Sequence, residues 1–172
     1  HEELIPYENK LKFNSEGFRG DNFSKERSSD VYRIFVVGGS TILSADTSNE
    51  TTIPSIFQKM LEIENPEKKI EVINAGISGG NSLTESELIG SKIVNYDPDL
   101  IIMYDGWNDL STGAPVLKII NNYEVICSLA IENNFEVIHT LQPIAGFGSK
   151  VLSNQEKINS LTGQDHAGYQ LI

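Results

Sequence analysis

Residues 33–41 read Arg33-Ile34-Phe35-Val36-Val37-Gly38-Gly39-Ser40-Thr41, and this stretch decides the fold. Ile34 to Val37 is a short continuous apolar run, β-branched and aromatic, that stops on two glycines. A strand with one wet face would alternate apolar and polar residues. The unbroken run predicts a strand buried on both faces, as in a parallel sheet covered by helices.

Outward from that run the same unit recurs. Apolar residues at 53, 56, 57, 60, 61 and 63 have helical spacing, and Ile70-Glu71-Val72-Ile73 follows as a second strand. Ser82 with Glu85 three residues on is a capping-box pattern, which predicts a helix running to about Tyr96 and closed by Pro98. Leu100 to Tyr104 is the third strand. Pro115 stands near the start of the next helix, which continues through about Glu132 and puts Cys127 on an apolar face with Ile120, Tyr123 and Ile131. Phe135 to Leu141 is the fourth strand, stopped by Pro143, and Ser153 with Glu156 marks one more helix start. Four alternations with short connections argue for βαβ crossovers and a parallel α/β sheet with helices on both faces. Residues 1–30 are polar and broken by Pro6, Gly17 and Gly20, which predicts an irregular arm anchored by residues such as Phe13 and Phe18, ahead of one domain over 31–172.

Composition narrows the function. The 172 residues suit a single domain, and 39% hydrophobic with 22% charged residues is ordinary for a globular chain. The charge is not: 13 Lys+Arg against 24 Asp+Glu leave a net −11, which repels nucleic-acid backbones and anionic lipid. One cysteine excludes an intrachain disulfide and a Cys-built zinc site. No apolar run approaches the roughly 20 residues of a membrane helix. The chain opens His1-Glu2-Glu3 without Met and closes on Gly168-Tyr169-Gln170-Leu171-Ile172, so it is expected to be a fragment. Its location stays open between a soluble protein and one exported or anchored through sequence before His1.

In open α/β sheets the ligand site lies beyond the carboxyl ends of the strands. Those ends read Gly38-Gly39-Ser40-Thr41, Gly76-Ile77-Ser78-Gly79-Gly80, Asp105-Gly106-Trp107-Asn108-Asp109 and Gln142-Pro143. Ser40 reads either as a helix N-cap or as a nucleophile at the sheet edge. Ile42 fills the last glycine position of Gly-x-Ser-x-Gly, so the common hydrolase elbow is absent. The third glycine of a dinucleotide loop and the lysine of a P-loop are absent too. Gly79 and Asn108 each read as turn residues or as donors to a developing oxyanion. Trp107 reads as an acyl-pocket wall or as packing under its loop. Arg19-Gly20-Asp21 matches an integrin tripeptide, and Asn22 and Asn49 open glycosylation sequons.

Taken together, Gly-Gly-Ser, then Asn-Ala-Gly-Ile-Ser-Gly, then Asp-Gly-Trp-Asn-Asp at successive strand ends resemble the blocks of the SGNH/GDSL hydrolase family. The first block is a Gly-Gly-Ser variant, and Asn14-Ser15-Glu16-Gly17-Phe18-Arg19-Gly20 is similar to the arm that often precedes it. The resemblance covers about residues 14–156. It implies a flavodoxin-like three-layer α/β/α sandwich, missing its C-terminal elements here, and a serine ester hydrolase that needs no cofactor or metal. It further implies Ser40 as nucleophile and oxyanion donor through its own N–H, Gly79 as a second backbone donor and Asn108 as the side-chain donor. The substrates implied are small-molecule, carbohydrate or lipid esters, with no nucleic acid partner.

One block is missing. The family carries its catalytic His in an Asp-x-x-His near the C-terminus, and none occurs here: Asp165-His166 are adjacent, and His139 lies in a predicted strand. Either the block lies beyond Ile172, which is the expectation, or the chain is a degenerate member. The rival reading is a non-catalytic carbohydrate- or acyl-ligand-binding module on the same fold. A nucleotide-binding flavodoxin-like protein is a distant third.

Overall fold

In the computed structural model, which describes residues 11–143, 151–154 and 156, four strands pair side by side. They are β1 (Val31–Gly38), β2 (Lys69–Gly76), β3 (Leu100–Asp105) and β4 (Glu136–Leu141), in the order β2-β1-β3-β4 with every pairing parallel. This is the flavodoxin-like order. The chain reverses direction across the sheet between β1 and β3, the switch point where such sheets bind ligands.

The helices are α1 (Ser40–Leu43), α2 (Ile53–Glu64), α3 (Ser82–Ser91), α4 (Trp107–Ser111) and α5 (Val116–Asn133). Alternate residues of β1 serve opposite layers. Phe35 and Val37 pack with Ile89 of α3 and Ile126 and Ala130 of α5, while Ile34 and Val36 pack with Phe57 and Leu61 of α2. The two-faced burial read from the apolar run is therefore present. On the α2 side, Ile102, Tyr104 and Thr140 line an open apolar groove with Ile56 and Met60.

Four sequence expectations need correction. The predicted helix 82–96 is α3 followed by a 3₁₀ turn over Ile93–Tyr96, ended by left-handed Asp97 before Pro98. Its cap is Asn81, whose side chain accepts from the Thr84 N–H while Thr84 Oγ1 accepts from Asn81 N–H; Ser82 and Glu85 are buried instead. Cys127 is exposed, because the buried line of α5 runs through Ile119, Ile126 and Ala130, and Ile131 is 84% exposed beside it. Phe13 is 49% exposed, and the arm is held by Phe18 and Phe23, which stack edge-on with Phe35 and Tyr96. The last predicted helix start has its reciprocal cap: Ser153 N–H donates to Glu156 and Glu156 N–H to Ser153 Oγ.

α1 lies across the strand ends only because glycines leave it room. A Cβ on Gly76 would overlap the Leu43 amide nitrogen, and one on Gly38 would sit 2.5 Å from the Tyr104 carbonyl oxygen. Asn74 fastens the same helix, its Nδ2 donating to the Ile42 carbonyl at 2.9 Å. Gly76→Ala is therefore expected to lift α1, and Ser40 with it, and to destabilise the fold by about 1–3 kcal/mol. A melting temperature unchanged by the substitution would refute the close approach.

Candidate active site

Ser40 is the first residue of α1 and is exposed. The N-cap position belongs to Gly39, with no side-chain cap bond, so the hydroxyl is not consumed in the capping role that its residue type suggested. The arm holds the other end of this short helix. Arg19, only 4% exposed, donates from its guanidinium to the carbonyls of Leu43, Ser44 and Thr47, and from Nε to Asn49 Oδ1 at 2.9 Å. Arg19 is thus an internal strut, while Asp21 is exposed and pairs with Lys12, and both sequon asparagines engage this region: Asn49 through Arg19, Asn22 through the Ser15 N–H.

Three loops meet at Gly39. A Cβ there would lie 2.5 Å from Asn108 Nδ2 and 3.3 Å from the Gly80 carbonyl oxygen, so the turn after β1, the loop after β2 and the start of α4 converge within a methyl group's reach. Asn108 Nδ2 donates to the Gly80 carbonyl at 2.5 Å. An amide nitrogen carries two protons, so one remains beside Gly39. The Ile77 N–H donates to the Gly38 carbonyl at 2.9 Å, which ties the second loop to the first. A fourth strand end joins through Gln142, whose Nε2 donates to Thr41 Oγ1 at 3.1 Å.

Gly79 sits where a side chain is disfavoured, at φ +70° in a tight turn closed by the Gly80 N–H to the Ile77 carbonyl. It is the turn residue that sequence reading allowed. Its own N–H donates to no acceptor among the described residues. Trp107 opens α4 and is half-buried.

His139 does not join this group. It lies within β4, in register with Met103, and stacks on Tyr123 of α5 at 4.7 Å between ring centroids. Burial there lowers its pKa. No hydrogen bond links it to Ser40. Asp165 and His166 lie outside the described residues.

The structure adds a set that sequence reading missed. Asp109, 2% exposed, accepts the Ser82 hydroxyl at 2.6 Å and the Ser82 N–H at 2.9 Å, placing a carboxylate at the N-terminal end of α3. Asn122 of α5 donates to Ser82 Oγ at 2.8 Å. Behind them Glu85 and Asp105 are each buried, and the charge of Asp105 acts on Glu85. Burial is the largest cause that pushes the Glu85 carboxyl up, to about 10, with the charge of Asp105 next; burial likewise raises Asp105, to about 6. The signal was available. Residues 82, 85, 86 and 89 fall at i, i+3, i+4 and i+7 on the stripe that Ile89 buries, so Glu85 belonged to the core face rather than to a cap.

Among solved structures, AlinE4, an SGNH-hydrolase family esterase, superposes with a TM-score of 0.59 at 19% identity, over 68% of this chain and 63% of that one. The acetyl xylan esterase AlAXEase gives 0.57 at 19% identity, over 81% and 70%. The psychrotrophic esterase EstA from Pseudoalteromonas sp. gives 0.57 at 22% identity, over 67% and 63%. No family model and no curated protein matches the chain. The chain has the SGNH-hydrolase fold, and it spans about three-fifths of the length of TesA and AlinE4, covering 58% and 63% of them.

Proposed function

We propose that the chain is the nucleophile-bearing part of a serine ester hydrolase that works through an acyl-enzyme on Ser40. The observation that carries this reading is the meeting at Gly39, which brings an exposed, uncapped serine beside the Asn108 amide and the Gly79-Gly80 turn. In the reaction, Ser40 Oγ attacks the ester carbonyl carbon as a base takes its proton. The carbonyl oxygen becomes an oxyanion held by the Ser40 N–H, the Gly79 N–H and Asn108 Nδ2. Collapse expels the alcohol, which takes the proton, and water then cleaves the acyl group from Ser40. The base lies outside the described residues. Acetyl or acyl esters of carbohydrates, lipids or small alcohols are the substrate class, in keeping with the esterases and the acetyl xylan esterase that share the fold.

The second reading is a binding module for carbohydrate or acyl ligands. It is favoured by one observation: His139, the histidine among the described residues, packs on Tyr123 of α5 and makes no hydrogen bond to Ser40. A fluorophosphonate separates the two. Intact mass of the full-length natural protein is expected to show one equivalent added, and Ser40→Ala none. A folded protein that takes up no label, or a variant labelled as well as its parent, would favour the binding module.

A further inference from the structure

The acyl-transfer scheme makes no use of the acids buried behind its donors. Glu85 is fully buried and Asp105 is 3% exposed. Asp109 spends both oxygens on Ser82. Both oxygens of Glu85 and Oδ2 of Asp105 receive no N–H or O–H donor from the described residues. Ionised carboxyls only accept hydrogen bonds, so two that meet in a dry interior are satisfied only if one of them carries a proton and donates it. The position is as telling as the chemistry. A Cβ on Gly80 would lie 3.2 Å from Glu85 Oε1, so Glu85 lies against the turn that carries Gly79. Asp105 ends β3 and stands three residues before Asn108.

We propose that Glu85 is a positioning residue for the oxyanion donors: it keeps a proton, donates it in a hydrogen bond to Asp105, and so ties the Gly79 turn to the loop that carries Asn108. The inference rests on the proposed role of those two donors. The charged groups acting on Glu85 are Asp105 from β3 and Asp109 from α4. α5, packed against α3, brings the uncharged Asn122 to Ser82. Both negative charges favour the protonated form of Glu85.

Carbon-13 NMR of the labelled protein tests this without requiring activity. The Glu85 carboxyl carbon is expected to show the protonated shift at pH 7. The Asn108 side-chain carbonyl and the Gly79 carbonyl are expected to move with it through one alkaline titration. Glu85→Gln, whose amide still donates to Asp105, should keep both carbonyl shifts at pH 7 and lose that titration, whereas Glu85→Leu should displace both shifts. An ionised Glu85 at pH 7 would overturn the proposal, as would carbonyls that ignore its titration. If Glu85→Leu does not fold, the comparison of Glu85→Gln with its parent still decides. Coupled titration in a protein whose Ser40 takes no fluorophosphonate would keep the tie and remove the hydrolase reading. Labelling without coupling would do the reverse.

Discussion

Ser40→Ala and Asn108→Ala are expected to lower ester hydrolysis by very different factors. Removing the proposed nucleophile should abolish the acyl-enzyme route, a loss of about 10⁶ in kcat where serine nucleophiles have been removed from hydrolases. Removing one of the three proposed oxyanion donors leaves the two proposed backbone N–H groups in place and should cost about 10²–10³. Asn108 should fall toward the upper end of that range, because its Nδ2 also holds the Gly80 carbonyl at 2.5 Å. Its loss therefore slackens the turn that presents Gly79. Asn108→Asp is the sharper variant. It has the same shape, but it sets an acceptor against the Gly80 carbonyl and an anion beside the developing oxyanion, so its kcat should drop below that of Asn108→Ala. Steady-state hydrolysis of an activated acetate ester by the full-length protein measures all three. A kcat for Asn108→Asp equal to that of the parent would remove Asn108 from the oxyanion site.

The framework of that site was readable from sequence where one face of an element decides its pattern. The run Ile34 to Val37 gave β1 its two-sided burial, and the spacing from Ile53 gave α2 to within one residue. The meeting of the Gly39, Gly80 and Asn108 loops was legible for a different reason: parallel connectivity alone brings successive strand ends to one edge. What escaped was set by partners far away in the chain. α1 and α4, of four and five residues, are too short to show a period. Cys127 lies one position off the buried line of α5, a displacement that an apolar neighbour such as Ile131 disguises. Glu85 was misread because its type and distance from Ser82 fit a cap. Its true surroundings depend on Asp105, twenty residues later, and on a helix face whose inward direction only packing reveals.

The folding equilibrium is expected to weaken as pH rises, with Glu85 as the main cause. Its carboxyl is raised from 4.5 to about 10 in the folded chain, with burial the largest cause. Below pH 4.5 both folded and unfolded states hold the proton, so the stabilisation is complete there. Above it the unfolded chain releases the proton and the folded chain retains it, so the folding constant falls about tenfold per pH unit until the folded group titrates. Asp105, raised from 3.8 to about 6, adds a second loss of the same sign across that narrower window. Asp30 has the opposite sign, lowered to about 2 chiefly by its bond to Lys69, but it is fully exposed and acts only below pH 3.8. Urea unfolding should therefore show a midpoint that drops steadily from pH 5 to pH 8 at constant m. The net charge of −11 also disfavours compactness as pH rises, and Glu85→Gln separates that general repulsion from the buried proton. The variant keeps the surface charge and should lose most of the slope above pH 6, gaining on its parent with each unit. A parent midpoint that is flat from pH 5 to pH 8 would mean that Glu85 is ionised in the fold, and the two donor loops would then need another tie.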